Sequence, residues 1–105
     1  MDEREKIVGE LKTFRNRMSK HYPIVELIFF GSIARGEFRE DSDIDLIIVS
    51  EKFKGMNFIR RAARAYDFWN LDFPVDFLCY TPKEFEERKR RIGLVSQALE
   101  EGIAI

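Results

Sequence analysis

The sequence predicts a layered α/β (α+β) domain, with helices and strands in the order α-β-α-β-α-β-α around a small sheet. Three observations carry that prediction. Amphipathic stretches with apolar residues three and four apart alternate with short β-branched and aromatic runs, the pattern of helices packed on a sheet. One run, Ile44 to Val49, is almost continuously apolar, which suits a strand covered on both faces. The 105 residues, 45% hydrophobic and 35% charged, fit one domain over 1–105 with a single core.

The elements follow in order. Ile7, Val8, Leu11, Phe14 and Met18 fall at helical spacing with charges between them. Pro23 closes that helix, because the residue before a proline is steered away from helical geometry. Ile24 to Phe30 reads as a strand, stopped by Gly31-Ser32. Ile33 to Glu37 predicts a short helical turn, 38–42 a loop, and Ile44 to Val49 the second strand. Residues 50–57 read as a loop around Gly55. Ile59, Ala62, Ala63, Tyr66 and Trp69 then share one helical face, with Arg60, Arg61 and Arg64 off it. Pro74 precedes a third strand, Val75 to Tyr80. Thr81-Pro82-Lys83-Glu84 combines a capping hydroxyl, a proline suited to the first helical position and a glutamate that completes a capping box. The helix it opens is expected to turn Phe85, Ile92, Val95 and Leu99 inward, with an interruption at Gly93 and a stop at Gly102. Ile103 to Ile105 adds a short edge strand.

Composition excludes several classes. One cysteine and one histidine rule out an internal disulfide and a zinc cluster. A charged N-terminus and short apolar runs predict a soluble cytoplasmic protein without a membrane partner. A net charge of −1 argues against a general nucleic-acid surface.

The chemistry lies in the acids. Asp43 and Asp45 open the second strand, and residues i and i+2 of a strand share a face. Asp76 stands at the same kind of position on the third strand. If those strands are neighbours, three carboxylates meet and repel, and a divalent cation resolves the conflict. Oxygen donors without His or Cys suit Mg²⁺ or Mn²⁺, and two such ions form a clamp for phosphoryl or nucleotidyl transfer. Gly31-Ser32, between a strand and a helical turn, offers backbone N–H groups and a hydroxyl to phosphate. Together these features describe a nucleoside-triphosphate site.

Phe30-Gly31-Ser32, ten further residues and then Asp43-Ile44-Asp45-Leu46 resembles the DNA polymerase beta-like nucleotidyltransferase superfamily. The longer strings Gly31-Ser32-Ile33-Ala34-Arg35-Gly36-Glu37 and Ser42 to Leu46 resemble its minimal nucleotidyltransferase (MNT) branch. Val75-Asp76-Phe77, with Tyr80-Thr81-Pro82 and Glu84-Phe85 after it, is similar to that branch's third-acid strand and following helix. The resemblance runs from about Ile7 to Gly102. It implies a mixed three- to four-stranded sheet flanked by helices. Asp43, Asp45 and Asp76 match the catalytic, metal-binding acids, and Asp76 the one linked to activation of the acceptor hydroxyl. Gly31 and Ser32 match the holders of the β- and γ-phosphates of ATP, and Arg35 belongs to the matched string. The implied partner is a helical HEPN-family protein. In such pairs the MNT protein is an antitoxin that moves AMP from ATP to a tyrosine of a HEPN RNase. With no domain beyond the core, the acceptor wall is expected from a protein partner or a second copy of the chain.

Other residues have plainer readings. Ser42 suits a turn hydrogen bond rather than a nucleophile. Arg35 suits either a phosphate contact or a surface ion pair. Glu84, Glu86 and Glu87 precede Arg88, Arg90 and Arg91 by four residues, the favourable order for ion pairs on a solvated helix face. Arg60, Arg61 and Arg64 face either a triphosphate, RNA or an acidic partner, or only solvent. Phe29, Phe30, Tyr66, Trp69 and Phe77 read as core, Phe53 and Phe58 as candidates for a partner surface, and His21 and Cys79 as structural. The function expected is Mg²⁺-dependent transfer of AMP that neutralises a HEPN toxin. The alternatives are a non-catalytic antitoxin acting by contact, and a nucleotidyltransferase acting on RNA or a small molecule.

Overall fold

The computed structural model describes residues 2–39 and 41–105. Helix α1 spans Glu3–Ser19 and is capped by the Asp2 side chain, which accepts from the Glu5 amide. Then come β1 (Glu26–Phe30), α2 (Gly31–Ala34) and β2 (Ile44–Val49). A 3₁₀ turn (Glu51–Phe53), α3 (Phe58–Tyr66), β3 (Val75–Tyr80), α4 (Pro82–Lys89), α5 (Leu94–Glu101) and β4 (Ile103–Ala104) complete the order. The capping box at the start of α4 is present, with Thr81 Oγ1 accepting from the Glu84 amide at 3.2 Å and Glu84 Oε1 from the Thr81 amide at 2.8 Å.

The four strands form one mixed sheet in the order β3-β2-β1-β4. β1 is antiparallel to β2 and β4, whereas β2 and β3 are parallel and need a crossover, which α3 supplies. Side chains alternate across the sheet, so it has two different faces. On one, Leu27, Phe29, Ile44, Leu46, Ile48 and Cys79 pack with Ile7, Leu11, Phe14 and Met18 of α1. On the other, Ile28, Phe30, Ile47, Val49 and Tyr80 pack with Phe85 of α4 and Val95 and Ala98 of α5. By the same alternation Asp45 and Asp76 belong to this second face. Among the described residues, no helix is long and apolar enough to cross a membrane.

Four expectations are corrected. In α3 the buried residues are Arg61 and Ala65, while Ile59 is 84% exposed and Tyr66, expected in the core, is half exposed. The reason is that Arg61 meets a complete set of acceptors. Its guanidinium donates to Met56 O at 2.9 Å and Cys79 O at 3.0 Å, and pairs with both Glu84 oxygens at 2.6 and 3.2 Å. It also lies 5.0 Å from the Phe58 ring centroid. The helix after Thr81 breaks near Gly93 into α4 and α5, and this rotation leaves Ile92 fully exposed and Leu99 exposed, with Phe85 and Val95 inward as expected. Phe53 is fully buried within the 3₁₀ turn rather than offered to a partner, and Phe58 alone of that pair is exposed. The expected i,i+4 pairs of α4 are replaced by Glu84–Arg61 and Glu86–Lys89, because Glu84 turns inward to close the capping box and neutralise Arg61.

Candidate active site

Asp45 is the pivot of the site. On β2 it pairs with Phe30 of β1 on one side and Asp76 of β3 on the other. Adjacent strands lie about 4.8 Å apart, so the two carboxylates stand abreast on one face. Asp45 is partly buried and Asp76 exposed. Burial raises the Asp45 pKa above its ordinary value, the charges of Asp76 and Asp43 raise it further, and Arg35 opposes them.

Gly31 is built against that carboxylate. Its φ of +87° is in the left-handed region, and a Cβ there would stand 2.1 Å from Asp45 Oδ2. Glycine is therefore required twice, for the turn and for the close approach. The chain then enters α2, whose preceding residue Phe30 gives no side-chain cap, so the first amides lack the partners that a capping side chain supplies. Arg35 N returns to Gly31 O at 3.1 Å and Glu37 N to Ser32 O at 2.9 Å, which closes the turn.

A cleft of about 430 Å³ opens here. Gly31, Ser32, Arg35, Asp45 and Asp76 line it together. Of the six candidate site residues named from the sequence, five thus share one cavity. Asp43 does not line it. It lies exposed just ahead of β2 and acts on Asp45 through its charge. Arg35 is engaged with Glu37 and Glu101 at 3.2 Å each, so it meets both sequence readings: it lines the cleft and makes surface ion pairs. Ser42 Oγ accepts from the Arg39 amide at 3.0 Å, as a turn residue does.

The opposite wall was not legible in the sequence. Leu94, Gln97 and Glu101 of α5 line it, with Leu78 of β3. Leu78 had a usable signal, since it is two residues beyond Asp76 on the same face. The α5 residues had none, because a stripe mixing Leu, Gln and Glu at i, i+3 and i+7 does not stand out as a core pattern. Cys79 points to the other face, and burial pushes its thiol up to about 12, which suits a packing role. His21 stacks on Phe68 with ring centroids 5.5 Å apart and does not line the cleft.

Among the described residues, no three carboxylate, imidazole or thiol groups are gathered closely enough to hold a metal ion as they stand. The donor chemistry of Asp43, Asp45 and Asp76 fits a hard divalent cation all the same. All are anionic oxygen donors, and their repulsion at Asp45 is a conflict that such an ion relieves.

Residues 11–105 match the family model described as "Nucleotidyltransferase domain". A solved structure described as a "putative minimal nucleotidyltransferase" is 30% identical, covering 100% of this chain and 97% of that one with a TM-score of 0.64. Another, of a nucleotidyltransferase-like protein from Sulfolobus solfataricus, covers 96% of this chain and 80% of that one at 22% identity and a TM-score of 0.66, a likeness of fold. A Methanocaldococcus jannaschii protein described as a "putative protein adenylyltransferase" is 44% identical over 43 residues, which are 39% of this chain and 43% of that relative. The match thus spans less than half the length of that relative.

Proposed function

The chain belongs to the nucleotidyltransferase domain family, alongside its minimal members, and we propose that it transfers AMP from ATP to a hydroxyl of a partner protein with release of pyrophosphate. One juxtaposition carries this proposal. Asp45 lies abreast of Asp76 and against Gly31, so an acid pair and a phosphate-accessible turn share one cleft.

In the proposed reaction the acceptor oxygen bonds to the α-phosphorus, the bond from that phosphorus to the pyrophosphate oxygen breaks, and the acceptor's proton passes to the Asp76 carboxylate. Gly31 and Ser32 hold the β- and γ-phosphates through N–H groups and the hydroxyl, with Arg35 adding positive charge beside them. Asp43, Asp45 and Asp76 would hold Mg²⁺ or Mn²⁺, one ion or two, which neutralises charge on the phosphate oxygens when bound. Asp76 is the acid most open to an incoming hydroxyl. Catalysis of this kind is chiefly positioning and charge neutralisation.

A protein acceptor is supported by the name of the M. jannaschii relative over the stretch it shares. A HEPN-family partner, and with it an antitoxin role, is supported by the resemblance of the motifs to MNT proteins. The net charge of −1 favours a protein over RNA as acceptor. Purified protein with Mg²⁺, ATP labelled at the α-phosphate and extract of the source organism tests this. Label on a protein, lost when Asp43 and Asp45 are both changed to Asn, is expected. Label on RNA would reassign the acceptor. The second reading is a protein that inhibits its partner by contact without turnover. Inhibition that survives the triple Asp→Asn variant would establish that reading instead.

A further inference from the structure

The cleft has two chemically different ends. Gly31, Ser32 and Arg35 make one end polar, and Arg35 is tied there to Glu101 near the C-terminal end of α5. Leu94 opens α5, seven residues earlier, so it lies about 10 Å away along the helix. Leu78 stands beside Ile47, further from Gly31 than the Asp45–Asp76 pair. Leu78 and Leu94 thus make the far end apolar, and Leu94 is 51% exposed there. Extended along the cleft, a nucleoside triphosphate with its phosphates at Gly31 brings its base to these leucines.

Gln97 sits between the two ends, three residues after Leu94 and four before Glu101, on one face of α5. Its Nε2 donates to Glu101 Oε1 at 3.4 Å, while Glu101 Oε2 accepts from Arg35 at 3.2 Å. An ionised carboxylate only accepts, so Glu101 sets the sense of the Gln97 amide, nitrogen toward itself and oxygen away. Among the described residues no group donates to that oxygen. It is an acceptor left beside the apolar end.

Resting on the nucleotidyl-transfer proposal above, we infer that Gln97 Oε1 accepts a hydrogen bond from the exocyclic amino group of the base and makes the cleft selective for adenine over a purine bearing a carbonyl there. A carbonyl would set acceptor against acceptor. Glu101 positions Gln97, and through Arg35 the same carboxylate links the base end of the cleft to the phosphate end.

Calorimetric titration of the whole chain with ATP and with inosine triphosphate, both with Mg²⁺, tests this, because inosine has a carbonyl in place of that amino group, with a proton on the adjacent ring nitrogen. ATP is expected to bind about 5–10-fold more tightly, the lower part of the range for a good contact to a base edge. Gln97→Ala is expected to bring the two within about 2-fold, by weakening ATP and relieving the repulsion against inosine triphosphate. Gln97 is exposed, so the variant should fold, which circular dichroism verifies. An ATP preference that persists in Gln97→Ala overturns the inference, as does equal binding of both nucleotides by the unaltered protein. In either case the nucleotide site itself stands. Binding of neither nucleotide overturns the transfer proposal and the inference with it.

Discussion

The parallel pair β2–β3 ends in two opposite ways. At its C-terminal end, Arg61 is 4% exposed, yet its charge and donors are met by Glu84, Met56 O and Cys79 O. At its N-terminal end, Asp45 is partly buried with the like charges Asp76 and Asp43 near it, and Arg35, the cation that among the described residues acts on it, is committed to Glu37 and Glu101. One end brings its own counter-charge. The other leaves a negative charge to be matched from outside. Buried charge by itself therefore does not mark a functional site. What marks it is a charge whose neighbours make it worse, beside a cleft that admits a ligand.

The contrast can be broken from either end. Arg61→Ala should have the largest effect on stability, about 3–5 kcal/mol, since it strands Glu84 and two carbonyls, and urea unfolding measures it. Asp45→Asn should do the reverse. Transfer is expected to fall by at least about a hundredfold in the α-phosphate labelling assay, comparable to loss of one key electrostatic group in other enzymes. Its melting temperature at neutral pH should rise, because a raised carboxyl pKa means that the ionised form costs folding energy. That gain should vanish as pH falls below the ordinary value of 3.8, where the carboxyl is protonated in both folded and unfolded chains. An unchanged or lower melting point at neutral pH would remove the charge conflict from the account.

Gly31→Ala should cost about 1–3 kcal/mol through its positive φ, and also displace the Asp45 carboxylate. A crystal structure of the variant with Asp45 unmoved would contradict the second effect. Thr81→Ala, which loses one half of the capping box, should cost about 1 kcal/mol in urea unfolding. Glu84 gives the sharpest test. The hydrogen bond from Arg61 leads in lowering its pKa, so its contribution is present above the ordinary value of 4.5 and is lost as pH falls through the folded value below it. Glu84→Gln should therefore flatten the acid-side loss of stability in that window, opposite in sign to Asp45→Asn.

What was legible in the sequence was local or periodic. The β-branched and aromatic runs found β1, β2 and β3 because a strand's register is written into adjacent residues. Thr81-Pro82-Lys83-Glu84 announced the start of α4 because a cap acts over three residues. Gly31-Ser32 and Asp43-Ile44-Asp45 could be recognised because the turn and the paired acids need those residue types at fixed spacing. The inward turn of Arg61 could not be read, since counting apolar residues assigns arginine to solvent. Only the meeting of Glu84, 23 residues on, with Cys79 O and Met56 O makes the buried face acceptable. The break near Gly93 had a visible cue, but its consequence for Ile92 and Leu99 depended on where α5 came to rest. The sequence by itself determined the elements and both halves of the candidate site, through short-range sterics and periodicity. Tertiary structure alone decided that Asp45 stands beside Asp76, that α5 forms the facing wall, and which charge is answered within the chain, because those outcomes rest on contacts between residues far apart along it.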